Sequence, residues 1–472
     1  MKRSPRWKVG ISQLAFGSLF VCFVIASSPC SQAQVYGYFK DDPATTLPTG
    51  DWPAYQRYVS GNGTVAGVTV LVPWAEYDNG SDAGPSVNTT KMGTLVGHLN
   101  TAAAGGPINF IIVAASGGSG SGGVNTATPY WVFDPGWLTN CMCSWTTPLD
   151  VCYCNNYQGT TGIGGGPNNG FLVTGSNCYN QTTYTMAFPH NTFDYSGVPA
   201  AWEPPFVAAY QQWLGKFFTW VKANVSNVGY VRIGVGTGGG SVVPCPNVEE
   251  GNFHSQLSQP VTPLTESIWL SYNQGIYSAV ALDVGTSLIV EASMFGGEIF
   301  SGGDGMIPID WADNEAAVAT ANGFGLNAES LSTASDIGDN VLTSAGSPCS
   351  NDWCAIFSRY YKSAPILGLQ TLSQSDPNCL GAPSSCNTTS SLLTALPFAT
   401  QHRAKAFEIY YEDLLCAYDS GYTNSTPYGA CEAISAGRPY YSAALADAAA
   451  NQPTNTAAVG GAAGLSGKTS LQ

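Results

Sequence analysis

Charge is scarce in this 472-residue sequence: Asp, Glu, Lys and Arg together make up 10% of it, less than the 12% that is aromatic. Basic residues are the scarcer sign, 16 against 31 acidic, for a formal net charge of −15. A field of that sign repels phosphate backbones and excludes nucleic acid as a partner. The acidity by itself serves solubility. Histidine is rare too. His98, His190, His254 and His402 stand in unrelated contexts with no H-x-x-x-H pair, which argues against a metal enzyme. There is no G-x-S-x-G elbow, so a serine hydrolase of that type is not expected. Beyond the first 33 residues no apolar run is long enough to cross a bilayer. Little charge and many aromatic rings suit an exported protein that faces carbohydrate.

The first 33 residues read as a signal peptide. Lys2, Arg3, Arg6 and Lys8 lead, Ile11–Ala26 is apolar, and Ser31-Gln32-Ala33 offers a small-x-small cleavage site. A secreted, periplasmic or extracellular location follows. Cys22 and Cys30 leave with the leader, so the other twelve of the 14 cysteines make an even set in an exported chain, which points to disulfides. Cys141-Met-Cys143 and Cys152-Tyr-Cys154 are C-x-C pairs, whereas zinc sites favour C-x-x-C spacing. Disulfides stapling a long loop are the expectation.

The body of the chain alternates buried runs with helical periodicity. Tyr230–Cys245 begins as a strand, with Val231, Ile233 and Val235 opposite Arg232, Gly234 and Gly236, and then breaks into glycines. Before it, Phe206, Tyr210, Trp213, Leu214, Phe217, Phe218 and Val221 recur at helical spacing. The same unit is read elsewhere, with 65–78 as strand one, 108–116 as strand two and 183–190 as strand three. Strands five to eight fall at 286–295, 323–331, 364–372 and 404–415. Eight such units imply a (β/α)8 TIM barrel, an α/β fold, over residues 34–434. Residues 35–64 look irregular, and 117–182 look like a disulfide-rich insertion after strand two. Residues 435–472 form an Ala/Gly/Ser/Thr-rich tail expected to be disordered. A dinucleotide-binding sheet is the alternative, but Gly234-x-Gly236-x-x-Gly239 lacks a following helix start and an acid for a ribose. No cofactor is expected.

Strand parity sorts the side chains. The aliphatic face of each strand packs on helices and the other face points into the barrel. That places Arg232, Ile289, Glu291, Ser293, Asn327, Glu329, Gln370, Glu408 and Tyr410 inside. Barrel interiors are normally filled by Val, Ile and Leu, so such a set must be paired or must act. A structural Arg–Glu network accounts for Glu408 best and for Glu329, at its strand end beside Asn327, least.

Several short motifs resemble the clan-A glycoside hydrolases, β-galactosidase-like barrels in particular. They are VPWAEYD, PYWVFDPGW, YVRIGVGTGGG, GFGLNAESL, LGLQTL and FEIYYEDL, spread over residues 65–420. The resemblance implies a retaining mechanism, with a glutamic acid at the end of strand four and a glutamate nucleophile at the end of strand seven. This chain departs from that pattern. Gly239-Gly240-Ser241 and Gln370 stand at those places, and neither can do the work of a carboxylate.

Two functions therefore follow. One is a secreted glycoside hydrolase acting on an extracellular oligo- or polysaccharide with a rearranged carboxylate pair. Its catalytic candidates are Glu329 with Glu76, Glu249 or Glu250. Its substrate-binding candidates are Trp74, Trp131, Arg232, Asn327, Gln370, Glu408 and Tyr410, with Tyr130 and Trp137 as further sugar platforms. The other is a catalytically silent barrel that binds glycan or serves as an envelope protein.

Overall fold

The computed structural model describes residues 34–47, 51–61, 63–81, 83–115, 127–133, 172–173, 182–187, 192–199, 201–236, 266–294, 308–331, 352–371 and 404–419. Eight parallel strands close into a barrel. In chain order they are β1 (Gln34–Phe39), β2 (Val65–Pro73), β3 (Ile108–Val113), β4 (Val228–Ile233), β5 (Val290–Met294), β6 (Gly325–Leu331), β7 (Leu367–Thr371) and β8 (Ala406–Tyr410). Each strand pairs with its neighbours in sequence, and β1 closes the ring against β8, with Tyr36 opposite Glu408 and Tyr38 opposite Tyr410. The described helices of eight residues or more are α1 (Thr89–Ala102), α2 (Pro204–Asn224), α3 (Glu266–Val284), α4 (Pro308–Ala321), α5 (Asp352–Tyr360) and α6 (Tyr411–Tyr418).

The helices form for local reasons. Asn88 caps α1 by accepting from the Lys91 amide at 3.0 Å. Pro204 opens α2, where its missing N–H costs nothing. Met92, Leu95, Val96 and Leu99 of α1 and Phe206, Tyr210, Trp213, Phe217 and Val221 of α2 turn inward as one apolar stripe each. The same core holds the outward faces of the strands: Val68, Val70 and Val72, Phe110 and Ile112, Val231 and Ile233, Leu326 and Ala328, Phe407 and Ile409. Phe217 packs edge-on against Phe110, centroids 5.9 Å apart. No described helix is long and apolar enough to cross a membrane.

Two strand assignments from the sequence are corrected. The first barrel strand is Gln34–Phe39, in the stretch that looks irregular, so the strands at 65–73 and 108–113 are second and third. Its cue, Val35 and Phe39 alternating with Tyr36 and Tyr38, is interrupted by Gly37 and followed by a run of prolines. Gly37 is needed there, because a Cβ would run into the Tyr55 hydroxyl. The segment read as strand three instead forms a three-stranded antiparallel sheet, in which Thr182–Ala187 and Leu172–Val173 both pair with Thr192–Pro199. Its alternating Thr and Tyr suit a hairpin rather than the apolar run of a parallel strand such as INFIIV. The leader, the C-x-C pairs and the residues beyond 419 lie outside the described residues.

Candidate functional site

The barrel interior is layered. Nearest the N-terminal ends of the strands lie Tyr36, Tyr230 and Ala406, with Tyr36 and Tyr230 edge-to-face at 5.7 Å. Toward the C-terminal ends lie Tyr38, Leu71, Ile111, Val113 and Tyr410, where Tyr38 meets Tyr410 edge-on at 4.7 Å. The Lys40 ammonium stands 5.2 Å from the Tyr410 ring. Between these layers the interior is polar.

Arg232 is the hub of that middle layer. Its Nη1 lies 2.9 Å from Glu408 Oε2 and donates to Asn327 Oδ1 at 2.5 Å, while Nη2 donates to Gln370 Oε1 at 2.5 Å. Tyr230 Oη donates to Glu408 Oε1 at 2.5 Å. The polar set continues through Thr69, 3.4 Å from the same hydroxyl, to Asn109, whose Nδ2 donates to Thr69 Oγ1 at 3.1 Å. Asn109 Oδ1 in turn accepts the Tyr230 amide at 3.0 Å, so the strand positions are tied to the network. Arg232, Glu291, Asn327 and Glu408 are fully buried. Gln370 is half-buried, at the penultimate position of β7.

Burial sets the protonation. Glu291 is pushed well above the usual carboxylate range by desolvation first and by the Glu408 charge second; Arg232 and the Asn327 amide pull the other way. Tyr230 is likewise held far above the usual phenol range by burial, then by Glu408 and Glu291, which keeps its hydroxyl a donor.

The sequence candidates separate. Arg232, Asn327, Gln370, Glu408 and Tyr410 share the interior. Trp74 does not: it is fully buried outside the barrel wall, against Tyr210 at 5.2 Å, Phe206 at 5.7 Å, Trp213 at 6.1 Å and Trp131 at 6.2 Å. Proline and the 3-10 turn at Trp74–Glu76 end β2 and rotate the indole into the helix layer. Trp131 is buried beside it, its Nε1 donating to Asp78 Oδ2 at 2.6 Å. Glu76 pairs with Lys91 of α1 at 2.6 Å. Ile289 precedes β5 and is partly exposed rather than interior. The backbone of Glu329 belongs to β6; its side chain, Glu249, Glu250, Trp137 and the side chain of Tyr130 lie outside what the structure describes.

Tyr230, Thr69, Asn109, Tyr36 and Tyr38 were not among the candidates. The signal for Tyr230 was present, two residues before Arg232 on the same face of β4. Thr69 and Asn109 are small polar positions in otherwise aliphatic strands, and Tyr36 and Tyr38 sit on the strand that went unread.

The C-terminal end of β4 is anchored from outside. Tyr210 of α2 donates to the Gly234 carbonyl at 2.7 Å and Tyr272 of α3 to the Val235 carbonyl at 2.8 Å. Carbonyls that have left the barrel ladder thus find partners.

No protein-family model matches the chain. No curated protein matches it by sequence. Solved structures do resemble it. The catalytic domain of a β-amylase from Paenibacillus polymyxa is 11% identical, with 88% of this chain and 99% of that one covered and a TM-score of 0.49. The GH5_18 protein of Streptomyces cattleya, solved with GlcNAc, is 12% identical over 88% of this chain and 80% of that one, with a TM-score of 0.42. A glycoside hydrolase family 5 enzyme from Prevotella bryantii, solved with a xyloglucan tetradecasaccharide, is 10% identical over 89% and 96%, with a TM-score of 0.37.

Proposed function

We propose that this chain is an exported glycoside-hydrolase-like barrel that acts on an extracellular oligo- or polysaccharide. The observation that carries the reading is the buried Arg232 hub ending at the half-buried Gln370 amide. A barrel that only had to fold would fill this layer with aliphatic side chains. Here an arginine, two glutamates and two amides occupy it, at a cost in desolvation that pairing offsets only in part. Gln370 lies toward the C-terminal end of β7, the end at which barrel enzymes place their chemistry. Oriented amides to hydrogen-bond hydroxyls, with tyrosine rings beside them, are the groups sugar recognition needs.

Glu408 and Glu291 are unsuited to be the catalytic pair, since both are sealed and Glu408 is taken by Arg232 and Tyr230. The acids of the reaction are therefore assigned to the rim. Glu329, in β6 two residues beyond Asn327, is the first candidate, with Glu249 or Glu250 from the segment after β4 as partner. One protonates the leaving oxygen and the other attacks the anomeric carbon or activates water. Carboxyls about 5 Å apart give retention and about 6.5–9.5 Å apart inversion.

One observation favours a second reading. The β7 end carries an amide bound to Arg232, where the clan-A resemblance implies a nucleophile, and a barrel so altered would bind glycan without cleaving it. Reducing-sugar release from a broad oligosaccharide panel, run beside calorimetric binding to the same panel, separates the two. Release supports the hydrolase, binding without release supports the binder, and neither sinks both.

A further inference from the structure

Among the described residues, the middle layer of the barrel holds two carboxyl groups and one guanidinium. Glu408 takes the guanidinium, at 2.9 Å, and the Tyr230 hydroxyl as well. Glu291 stands opposite Arg232 in the β4–β5 register, yet among the described residues its hydrogen bond is a long one, accepted by Oε2 from Asn327 Nδ2 at 3.5 Å. Its Oε1 has no hydrogen-bond partner. The side chain lies against the backbone of two glycines: a Cβ on Gly325 would meet Ile366 at 2.4 Å and Glu291 Cγ at 3.2 Å, and one on Gly368 would meet Asn327 Nδ2 at 2.5 Å and Glu291 Oε1 at 3.2 Å. Among the described residues this fully buried acid has no ion-pair partner, in a place an aliphatic side chain could fill.

We infer that Glu291 is a positioning residue carried as a neutral carboxylic acid, and that its proton keeps Arg232 directed at Gln370, the half-buried amide of β7. Two ionised glutamates would leave the sealed layer with an uncompensated negative charge, which burial strongly disfavours. An ionised Glu291 would also compete for the guanidinium from the adjacent strand. Its charged oxygens would out-compete the amide oxygens of Asn327 and Gln370, because charge-assisted hydrogen bonds are about twice as strong as neutral ones. Gln370 would then lose the partner that fixes which end of its amide points outward. While Arg232 holds Oε1, the Gln370 NH2 is the end left to donate to a ligand.

The groups around Glu291 point the same way. Arg232 and Tyr230 face it from β4, Glu408 from β8 and Tyr36 from β1, and Asn327 of β6 and Gly368 of β7 bring no charge. Desolvation and Glu408 hold the proton on, against Arg232 and Asn327. The native state therefore keeps a proton that the unfolded chain releases at the ordinary glutamate value, about 4.3. Stability is fully present below that value and declines as pH rises from it through the higher folded value.

The proton itself does not depend on the glycan reading; only the ligand-facing role of Gln370 rests on it. The test is correspondingly free of ligand. Infrared difference spectra of the wild type against Glu291→Gln at pH 7 are expected to show a protonated-carboxyl band that the variant lacks. The Gln370 side-chain amide resonances, assigned by their loss in Gln370→Met, are expected to move with pH in the wild type and stay fixed in Glu291→Gln. Glu291→Met, of similar volume and without a polar group, replaces the first variant if it fails to fold. If both fail, carbon-13 titration of the wild-type glutamate carboxyls decides, with one still protonated at pH 7 expected. An unchanged carboxyl band, a Gln370 resonance that titrates equally in the variant, or glutamates that all titrate in the ordinary range would overturn the inference.

Discussion

Arg232 and Glu408 form an ion pair across the full width of the barrel, Nη1 to Oε2 at 2.9 Å, with neither side chain exposed to solvent. Their strands, β4 and β8, lie four places apart in the ring of eight, so the pair bridges opposite walls. It acts as a strut that fixes where Asn327 and Gln370 sit. Removing one partner leaves the other buried and uncompensated. Arg232→Met and Glu408→Gln are each expected to lose about 3–5 kcal/mol of stability, and the double variant less than the sum of the two. Denaturant unfolding of the four proteins measures the coupling, and additive losses would show that the pair is not a unit.

Tyr230→Phe takes one donor from Glu408 while keeping the ring against Tyr36. The expected cost is about 1–3 kcal/mol, the range for leaving a buried acceptor unsatisfied. Chemical denaturation gives the value, and a loss near zero would mean that the hydroxyl is dispensable to Glu408.

Gly368 borders the polar layer, and a Cβ there would come 2.5 Å from Asn327 Nδ2. Gly368→Ala is expected to destabilise the protein by about 1–3 kcal/mol through displaced neighbours, although alanine elsewhere in a strand stiffens the unfolded chain and helps. A neutral or stabilised variant would contradict the packing drawn for Glu291 and Asn327.

Much of the barrel was legible because a parallel strand buried on both sides carries its pattern openly. Val231 and Ile233 against Arg232, or Phe407 and Ile409 against Glu408, identify wall and interior from parity alone. The first strand was not legible in the same way. Its alternation is carried by tyrosines around Gly37, and the reason for that glycine, the Tyr55 hydroxyl, lies eighteen residues further on. The small antiparallel sheet looked like a barrel strand because Thr and Tyr favour either setting and only the pairing partner decides. Trp74 shows the corresponding limit at the site: parity ends where the strand ends, and a single 3-10 turn carries the indole to the other side of the wall.

Trp74 accordingly has a packing role in this account. Trp74→Ala is expected to cost about 3–5 kcal/mol, the usual range for a buried tryptophan. Affinity for any oligosaccharide the wild type binds should stay within about twofold under conditions where the variant is folded, since 0% of the residue is accessible. A selective loss of binding at unchanged stability would return Trp74 to the ligand site.

Glu329→Gln tests the proposed hydrolysis of glycosidic bonds most directly. The substitution keeps shape and removes the ionisable group. On an oligosaccharide the wild type cleaves, the variant is expected to lose turnover by about 10²-fold or more, the lower end of what a general acid–base residue contributes, with its melting temperature nearly unchanged. A variant that releases reducing sugar at the wild-type rate would contradict the assignment, and a wild type that cleaves nothing in the panel would contradict the hydrolytic function itself.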